Sequence, residues 1–548
     1  MATPSGSQGK QAYDFVIVGS GFGGSVAALR LAEKGYTVLV LERGREFGDS
    51  DFAQRDWDLK RFLWLPQLLC RGILQISVLK GVLVLHGSGV GGGSLVYCAV
   101  LDEPWAEVFE RPEWKRPIAW GRVLPAHYAT ARRMLGVNTN PKLWPADTLL
   151  SEIAAERGFG DSFRSADVGV FFGEEGVEVP DPYFGGRGPA RKGCTHCGAC
   201  MVGCRENAKN TLAKNYLHLA RGCGARVQSE SEVVSIRAVN EGAVDGARYE
   251  VTYRRPGLVP GRRRTVRAGR VVVAAGVLGT VGLLMRCRER GDLPLLSPLL
   301  GHRVRTNNEA LLGGGALDEG VDYSQGISIS SIIRADPVTR VEPVRFPNGS
   351  SFTIRALSGP LYEGRRSLAG RVWMLLTWPL REARAFYEVK LRPGLSRRTT
   401  ILLVMQTEDS RLRLRRGRSL LTLFRRGTVA EPEEDKPIQA EISTGHEVVR
   451  RYAEKVKGIP IGNIAEGLLG QPATAHILGG CPVGASPEEG VVDEHFEAFG
   501  HPGLYVLDGS IVPGNLGVNP GLTITALAEY AMSQVPAKES DAALPRAA

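Results

Sequence analysis

Read from the N-terminus, the first apolar run is Phe15 to Val18, short and unbroken as in a strand buried on both faces. Ser25 to Lys34 follows with the Ala- and Leu-rich spacing of a helix, Gly35 ends it, and Tyr36 to Leu41 is a second buried strand. The start of the chain therefore predicts a β-α-β unit with short connections. Arg270 to Ala275 predicts another buried strand, followed by Gly276 and the helix-like VLGTVGLLMRC. From about Gly301 to Gly470 the period shortens. TTILLVMQ and RLRLRRGRSLLTLF alternate as antiparallel strands do, the second with a turn expected at Arg416–Gly417 and its arginines on a solvated face. Leu504 to Leu507 and Ile524 to Val535 predict a last strand and a last helix. The polar ends, 1–11 and 536–548, read as disordered tails.

The junction of the first strand and helix reads Gly19-Ser20-Gly21-Phe22-Gly23-Gly24, which contains G-x-G-x-x-G. Gly19 permits the tight turn, Gly21 lets a pyrophosphate reach the backbone, and Gly24 lets the helix pack on the strand. The helix N-terminus offers free N–H groups and a positive dipole end to the phosphates. Glu42 ends the second strand, where an acid accepts hydrogen bonds from an adenosine ribose. These features together predict dinucleotide binding, without choosing between FAD and NAD. A second match, Gly87, Gly89 and Gly92, is followed by SLVYCAV, which is neither a helix nor led to an acid. It reads as a loop against a ligand, and the lack of a second nucleotide fold argues against a flavoprotein reduced by NAD(P)H.

Composition changes this picture little. The 548 residues, 43% hydrophobic and 23% charged, allow two or more domains. The formal charge of +10 comes from dispersed basic residues without a nucleic-acid-binding motif, so no nucleic acid is expected, while a basic surface suits anionic membranes or acidic partners. The first residues carry no secretory or twin-arginine pattern, and a cytoplasmic protein is expected. No uncharged apolar run reaches the ~18 residues of a spanning helix. The stretch from Phe62 to His86 is apolar but interrupted, and reads as core or as a segment at the mouth of a site that touches a membrane peripherally. Nine cysteines are present, four of them as Cys194, Cys197, Cys200 and Cys204. Their C-x2-C-x2-C-x3-C spacing is that of iron–sulfur ligands, although Arg205 stands where ferredoxins place Pro and no second run exists. A cluster completed by Cys70, Cys223 or Cys481, a zinc site, and reduced structural thiols are the alternatives.

Four stretches, YDFVIVGSGFGGSVAALRLAEKGYTVLVLERG, GSGVGGGSLVY, VVVAAGVLGT and LYVLDGSIVPGNLGVNPGLTITALAE, with HILGGCPVG, resemble the glucose-methanol-choline (GMC) flavoenzymes over nearly the whole length. Within them the resemblance is to bacterial cholesterol oxidases with a cysteine-rich insert. It implies an α/β fold: a discontinuous Rossmann-like FAD-binding domain (12–50, 81–100, 225–300 and 475–535) and an inserted α+β substrate domain with an antiparallel sheet (51–80, 101–224 with the cysteine-rich 190–215, and 301–474). It implies FAD, contacted by Gly19, Gly21, Phe22, Gly23, Gly24, Glu42, Gly89, Val90, Gly91, Gly92, Ser94, Gly276, Asp508 and Gly509. The family's glycine loop commonly continues into Asn-Gly-Gly; here Tyr97-Cys98-Ala99 stands instead. The resemblance makes His476 and Asn519 the reacting pair, with His476 taking the hydroxyl proton as hydride leaves for the flavin. It makes Glu342, on a strand of the inserted domain, the base that moves a double bond afterwards, with Glu309 as second candidate. The expected substrate is a bulky hydrophobic alcohol such as a sterol, and the electron acceptor oxygen or a protein. A dehydrogenase with an iron–sulfur relay and a non-catalytic lipid-binding flavoprotein are the competing readings.

Overall fold

The computed structural model describes residues 12–239, 246–362, 364, 367–418, 426–438 and 441–539. Two seven-stranded sheets organise it. In the first, Arg226–Gln228, Val38–Leu41, Ala12–Val18 and Arg264–Val273 lie side by side in parallel, and Leu504–Val506 adds in parallel to the end of Arg264–Val273. Tyr249–Arg254 and Glu232–Ala238 extend the sheet antiparallel. Phe15, Val16, Ile17 and Val271 to Val273 are fully buried, which is what unbroken apolar runs require of central strands. Start, middle and end of the chain thus meet in one sheet.

The first helix is Phe22–Glu33, and it begins three residues before the expected Ser25. The difference lies in the glycines: Gly23 and Gly24 belong to the helix, where a Cβ would stand 1.7 Å from the Leu507 carbonyl oxygen and 2.2 Å from that of Gly19. Tyr216–Gly222 and Gly521–Gln534 pack on this helix, and Trp120–Leu135 packs on Gly521–Gln534. The sequence boundaries assign Trp120–Leu135 and Tyr216–Gly222 to the substrate domain; their apolar faces join the core of the first sheet instead.

The second sheet is antiparallel: Ser358–Pro360, Gly458–Asn463, Ala310–Ala316, Thr399–Gln406, Thr339–Val344, Ser331–Arg334 and Arg164–Ser165 in that order. Alternation divides its side chains. Leu312, Val341, Leu402 and Val404 pack against the helices Pro145–Glu156 and Ser443–Lys455. Leu311, Val344, Ile401 and Leu403, of the opposite parity, face a cavity between the sheets.

Two expectations need correction. Leu412–Gly417 pairs with Gly427–Pro432 in register to Gly417 and Gly427, so the strand runs through Arg416–Gly417, and residues 419–425 between the two strands lie outside the described residues. At the C-terminus, residues 536–539 are tied down: Lys538 donates from its backbone N–H to the Lys34 carbonyl (2.9 Å) and pairs with Asp14 (2.7 Å). Tails 1–11 and 540–548 lie outside the described residues. Among the described residues no helix is long and apolar enough to cross a membrane.

Candidate functional site

A cavity of about 610 Å³ runs between the two sheets, within the size range of cofactor sites. Its floor is the turn from Gly19 to Gly23. Gly19 has φ +97°, and a Cβ there would strike the Ala274 carbonyl at 2.3 Å, so the strand-to-helix turn needs glycine. Gly21 and Gly276 have open space where a Cβ would stand, and both line the cavity. Glu42, at the end of its strand, also lines it; its carboxylate accepts from Ser20 N (3.1 Å), Ser20 Oγ (2.7 Å) and Gly44 N (2.8 Å). Asp508 is held by Thr280 Oγ1 (2.5 Å) and Ser510 N (2.8 Å), and with Gly509 it also lines the cavity. These residues fit a dinucleotide: a glycine turn that a pyrophosphate can approach, a helix N-terminus and an acid at the end of the second strand.

The second glycine loop divides. Gly87, Gly92 and Gly93 line the cavity, as do Tyr97 and Cys98. Gly89, Val90, Gly91 and Ser94 stand behind them: Ser94 Oγ donates to the Gly91 carbonyl (2.7 Å) and accepts from Leu212 N (3.0 Å), and Val90 is buried in the first core. Gly24 likewise packs the helix and does not face the cavity. Residues that sequence reasoning missed are Arg43, Gln75, His86 and Arg286, which line the same cavity near Glu232. Arg43 Nη2 donates to Gln75 Oε1 (2.6 Å), and burial, with the Arg43 charge adding to it, pushes the His86 imidazole down to about 3. The Phe62 to His86 stretch thus contributes wall: Leu74, Gln75, Ser77, Leu79, Leu85 and His86 line the cavity, while Phe62, Ile73 and Val82 are core.

At the other end His476 and Asn519 both line the cavity. His476 Nδ1 lies 3.0 Å from Glu309 Oε2. Glu309 is fully buried and held by Thr474 Oγ1 (2.8 Å) and Ala475 N (3.2 Å), so it fixes the ring from behind. Burial works against an imidazolium here, but the Glu309 and then the Glu342 carboxylates outweigh it and hold His476 above its ordinary range. Asn519, its amide nitrogen toward Glu342, donates to both carboxylate oxygens (3.0 and 3.2 Å). Glu342 is wholly buried, outside the cavity lining; its burial, partly offset by Arg340 at 3.9 Å, raises its carboxyl to about 7. The loop carrying Asn519 is clamped by Asn307, whose Oδ1 accepts from Leu516 N and Gly517 N (2.9 Å each) and whose Nδ2 donates to the Val518 carbonyl (3.0 Å). Nothing in the sequence pattern singles out Asn307 for this. Beyond the polar group the wall is mainly apolar, with Leu311, Val344, Phe346, Leu357, Ile401 and Leu403, interrupted by Thr353, Ser358, Thr399 and Asn463.

Cys194, Cys197, Cys200 and Cys204 surround a void of about 20 Å³, the room of one water. Among the described residues no group of three or more His, Cys, Asp or Glu side chains is arranged to hold a metal ion. Burial raises the Cys194, Cys197 (to about 11) and Cys200 thiols, so these side chains favour the protonated form. The expectation of an iron–sulfur cluster therefore finds no support in this arrangement. Buried Lys209 ties the insert to the cavity wall through the Leu95 (2.9 Å), Tyr97 (3.2 Å) and Cys200 (2.6 Å) carbonyls.

Residues 189–288 and 405–528 match models described as GMC oxidoreductase, and residues 17–64 match an NAD(P)-binding Rossmann-like domain. The chain is 43% identical over 546 residues to a cholesterol oxidase of Mycobacterium tuberculosis, covering 96% of this chain and 92% of the relative. It is 41% identical over 539 residues to a cholesterol oxidase of Acinetobacter baumannii, covering 96% and 95%. The crystal structure of pyridoxine 4-oxidase from "Mesorbium loti" superposes with a TM-score of 0.59 at 17% identity, covering 95% of this chain and 98% of that one, which shows a shared fold. On these matches and this cavity, the chain belongs to the GMC oxidoreductase family and is an FAD-dependent alcohol oxidoreductase.

Proposed function

We propose that this enzyme oxidises the hydroxyl of a sterol, or of a similarly bulky apolar secondary alcohol, and passes the electrons to oxygen. The observation that carries this reading is the polarity gradient of one cavity: a dinucleotide cradle at one end, His476 and Asn519 beyond it, and an apolar chamber behind them. FAD, when bound, supplies the hydride acceptor. His476 accepts the proton of the substrate hydroxyl, and Glu309 keeps its ring oriented and stabilises the charge that results. Asn519 divides its amide between Glu342 and the substrate side of the cavity, which orients the hydroxyl oxygen. Glu342, near neutrality, is the carboxyl we assign to moving a double bond by taking a proton from the carbon next to the new carbonyl and returning it farther along; it stands one residue behind the lining, with Asn519 between it and the cavity. The named relatives support the sterol and oxygen assignments.

The test is anaerobic titration of the holoenzyme with sterols. Flavin absorption is expected to bleach in the wild type and to bleach roughly 10²–10⁴ times more slowly in His476→Gln. If no sterol bleaches the flavin the substrate assignment fails. If bleached enzyme is reoxidised by dyes but not by air, oxygen is not the acceptor.

A further inference from the structure

The helix Leu368–Arg381 wears its apolar side outward. Leu368, Val372, Trp373, Leu376 and Leu380 are 64%, 39%, 57%, 72% and 85% exposed. At 3.6 residues per turn they fall in an arc of about 140°. The opposite side carries Trp378, only 3% exposed, packed with Val389 and Ile461. Tyr387 and Leu391 extend the exposed apolar surface past the helix end. A patch of this kind on a globular surface marks something it binds.

Charge says what that is. Residues 361–400 hold nine Lys or Arg against three Glu, so a stretch of 40 residues carries more than half of the chain's +10. The helix itself contains no acid, Arg381 and Arg384 are exposed at its end, and the Arg381 guanidinium sits 5.3 Å from the centroid of the Trp373 ring. Apolar residues flanked by arginines, with an interfacial Trp, are the composition of a helix lying in a bilayer surface. A second copy is disfavoured, because a two-fold contact would set this basic stretch against itself.

The helix also sits beside the cavity. Its inner face rests on Ala465–Leu469 and Ser358–Pro360, and Ile461, which touches Trp378, lines the cavity together with Leu357 and Ser358. We propose that Leu368–Arg381 is an in-plane anchor for an anionic bilayer, with Leu376 and Leu380 among the acyl chains and Arg381 and Arg384 at the phosphates. A membrane-resident alcohol would then be delivered one residue layer from the apolar end of the cavity; this last step rests on the substrate reading above, whereas the docking does not.

The test uses holoenzyme and vesicles of phosphatidylglycerol with phosphatidylcholine, or of phosphatidylcholine alone, without sterol. Wild type is expected to sediment with the anionic vesicles, less at high salt and less with the neutral ones. The double variant Leu376→Glu, Leu380→Glu is expected to lose roughly a hundredfold in partitioning while its flavin spectrum, its melting temperature and its turnover of detergent-dispersed sterol stay unchanged. Arg381→Glu with Arg384→Glu should weaken binding to the anionic vesicles only. Absence of wild-type binding, a double variant that binds like wild type, or a dimer in solution that Leu376→Glu abolishes would overturn the proposal. If the vesicles bind but no sterol bleaches the flavin, the anchor stands and the substrate reading falls.

Discussion

At the scale of single residues the site is built from pairs in which one member holds the other. Glu309 holds His476, and Asn519 bonds Glu342. Glu309→Gln removes the charge that raises His476, so the imidazole titrates lower; the acid limb of the kcat/KM profile is expected to move to lower pH, and the loosened ring to cost about a hundredfold in kcat. An unmoved limb would show that Glu309 does not act through His476. Glu342 makes a second prediction, with a sign that runs against the usual carboxylate. Its folded pKa of about 7 lies above 4.5, so between those values the folded chain keeps a proton that the unfolded chain has released. Stability is therefore highest below that window and falls as pH rises through it, by roughly 3 kcal/mol if the whole shift is expressed. Glu342→Gln cannot ionise and keeps an acceptor for Asn519. It is expected to melt above wild type at about pH 8, to melt like wild type at about pH 5, and to oxidise substrate without moving the double bond, read by calorimetry and by the product's ultraviolet absorption.

At the scale of elements, the glycine turn performs two separable tasks. Gly23 lets helix Phe22–Glu33 meet the strand end at Leu507, and Gly21 faces open cavity. Gly23→Ala is expected to destabilise the fold by about 3 kcal/mol through overpacking, seen in urea denaturation with or without FAD. Gly21→Ala should leave the apoprotein within ~0.5 kcal/mol of wild type and weaken FAD binding roughly tenfold, because only the ligand meets its methyl. Equal stability loss in both would deny this division. The β-α-β unit was legible because its signals are local: an unbroken apolar run, glycines at a fixed spacing, and an acid at the next strand end. The helix start was misjudged by three residues because Gly23 and Gly24 read as loop, when close approach to neighbouring backbone is what requires them. The turn expected at Arg416–Gly417 failed for a related reason: a glycine between alternating stretches also suits a strand interior, and only pairing with Gly427 decides.

At the scale of the whole molecule, the second sheet is joined to a covering helix by charges taken out of water. Arg345 and Asp147 are both fully buried and meet at 2.7 Å; Ser330 and Ser331 donate to the Asp147 carboxylate, and Arg345 Nη1 donates to Ser330 Oγ and the Ile327 carbonyl. This pair ties the helix Pro145–Glu156 to the end of the strand that carries Glu342. Arg345→Met leaves Asp147 buried without its cation and is expected to cost about 3–5 kcal/mol in denaturant unfolding, whereas replacing both partners with apolar residues should cost much less. A single variant as stable as the double would show that the pair contributes nothing.

The sequence by itself determined the dinucleotide turn, the buried strands around it and the antiparallel character of the middle region, since each rests on neighbours in the chain or on a motif's spacing; His476, Asn519 and Glu342 were singled out by the resemblance to the GMC flavoenzymes. Tertiary structure alone decided that Glu309 stands behind His476, that Asn307 clamps the loop of Asn519, that four cysteines enclose a water-sized void, and that an apolar helix face is left outside. The physical reason is common to all four. Each depends on distance in space or on burial between segments far apart in the chain, and the spacing of residues along one segment carries no information about either.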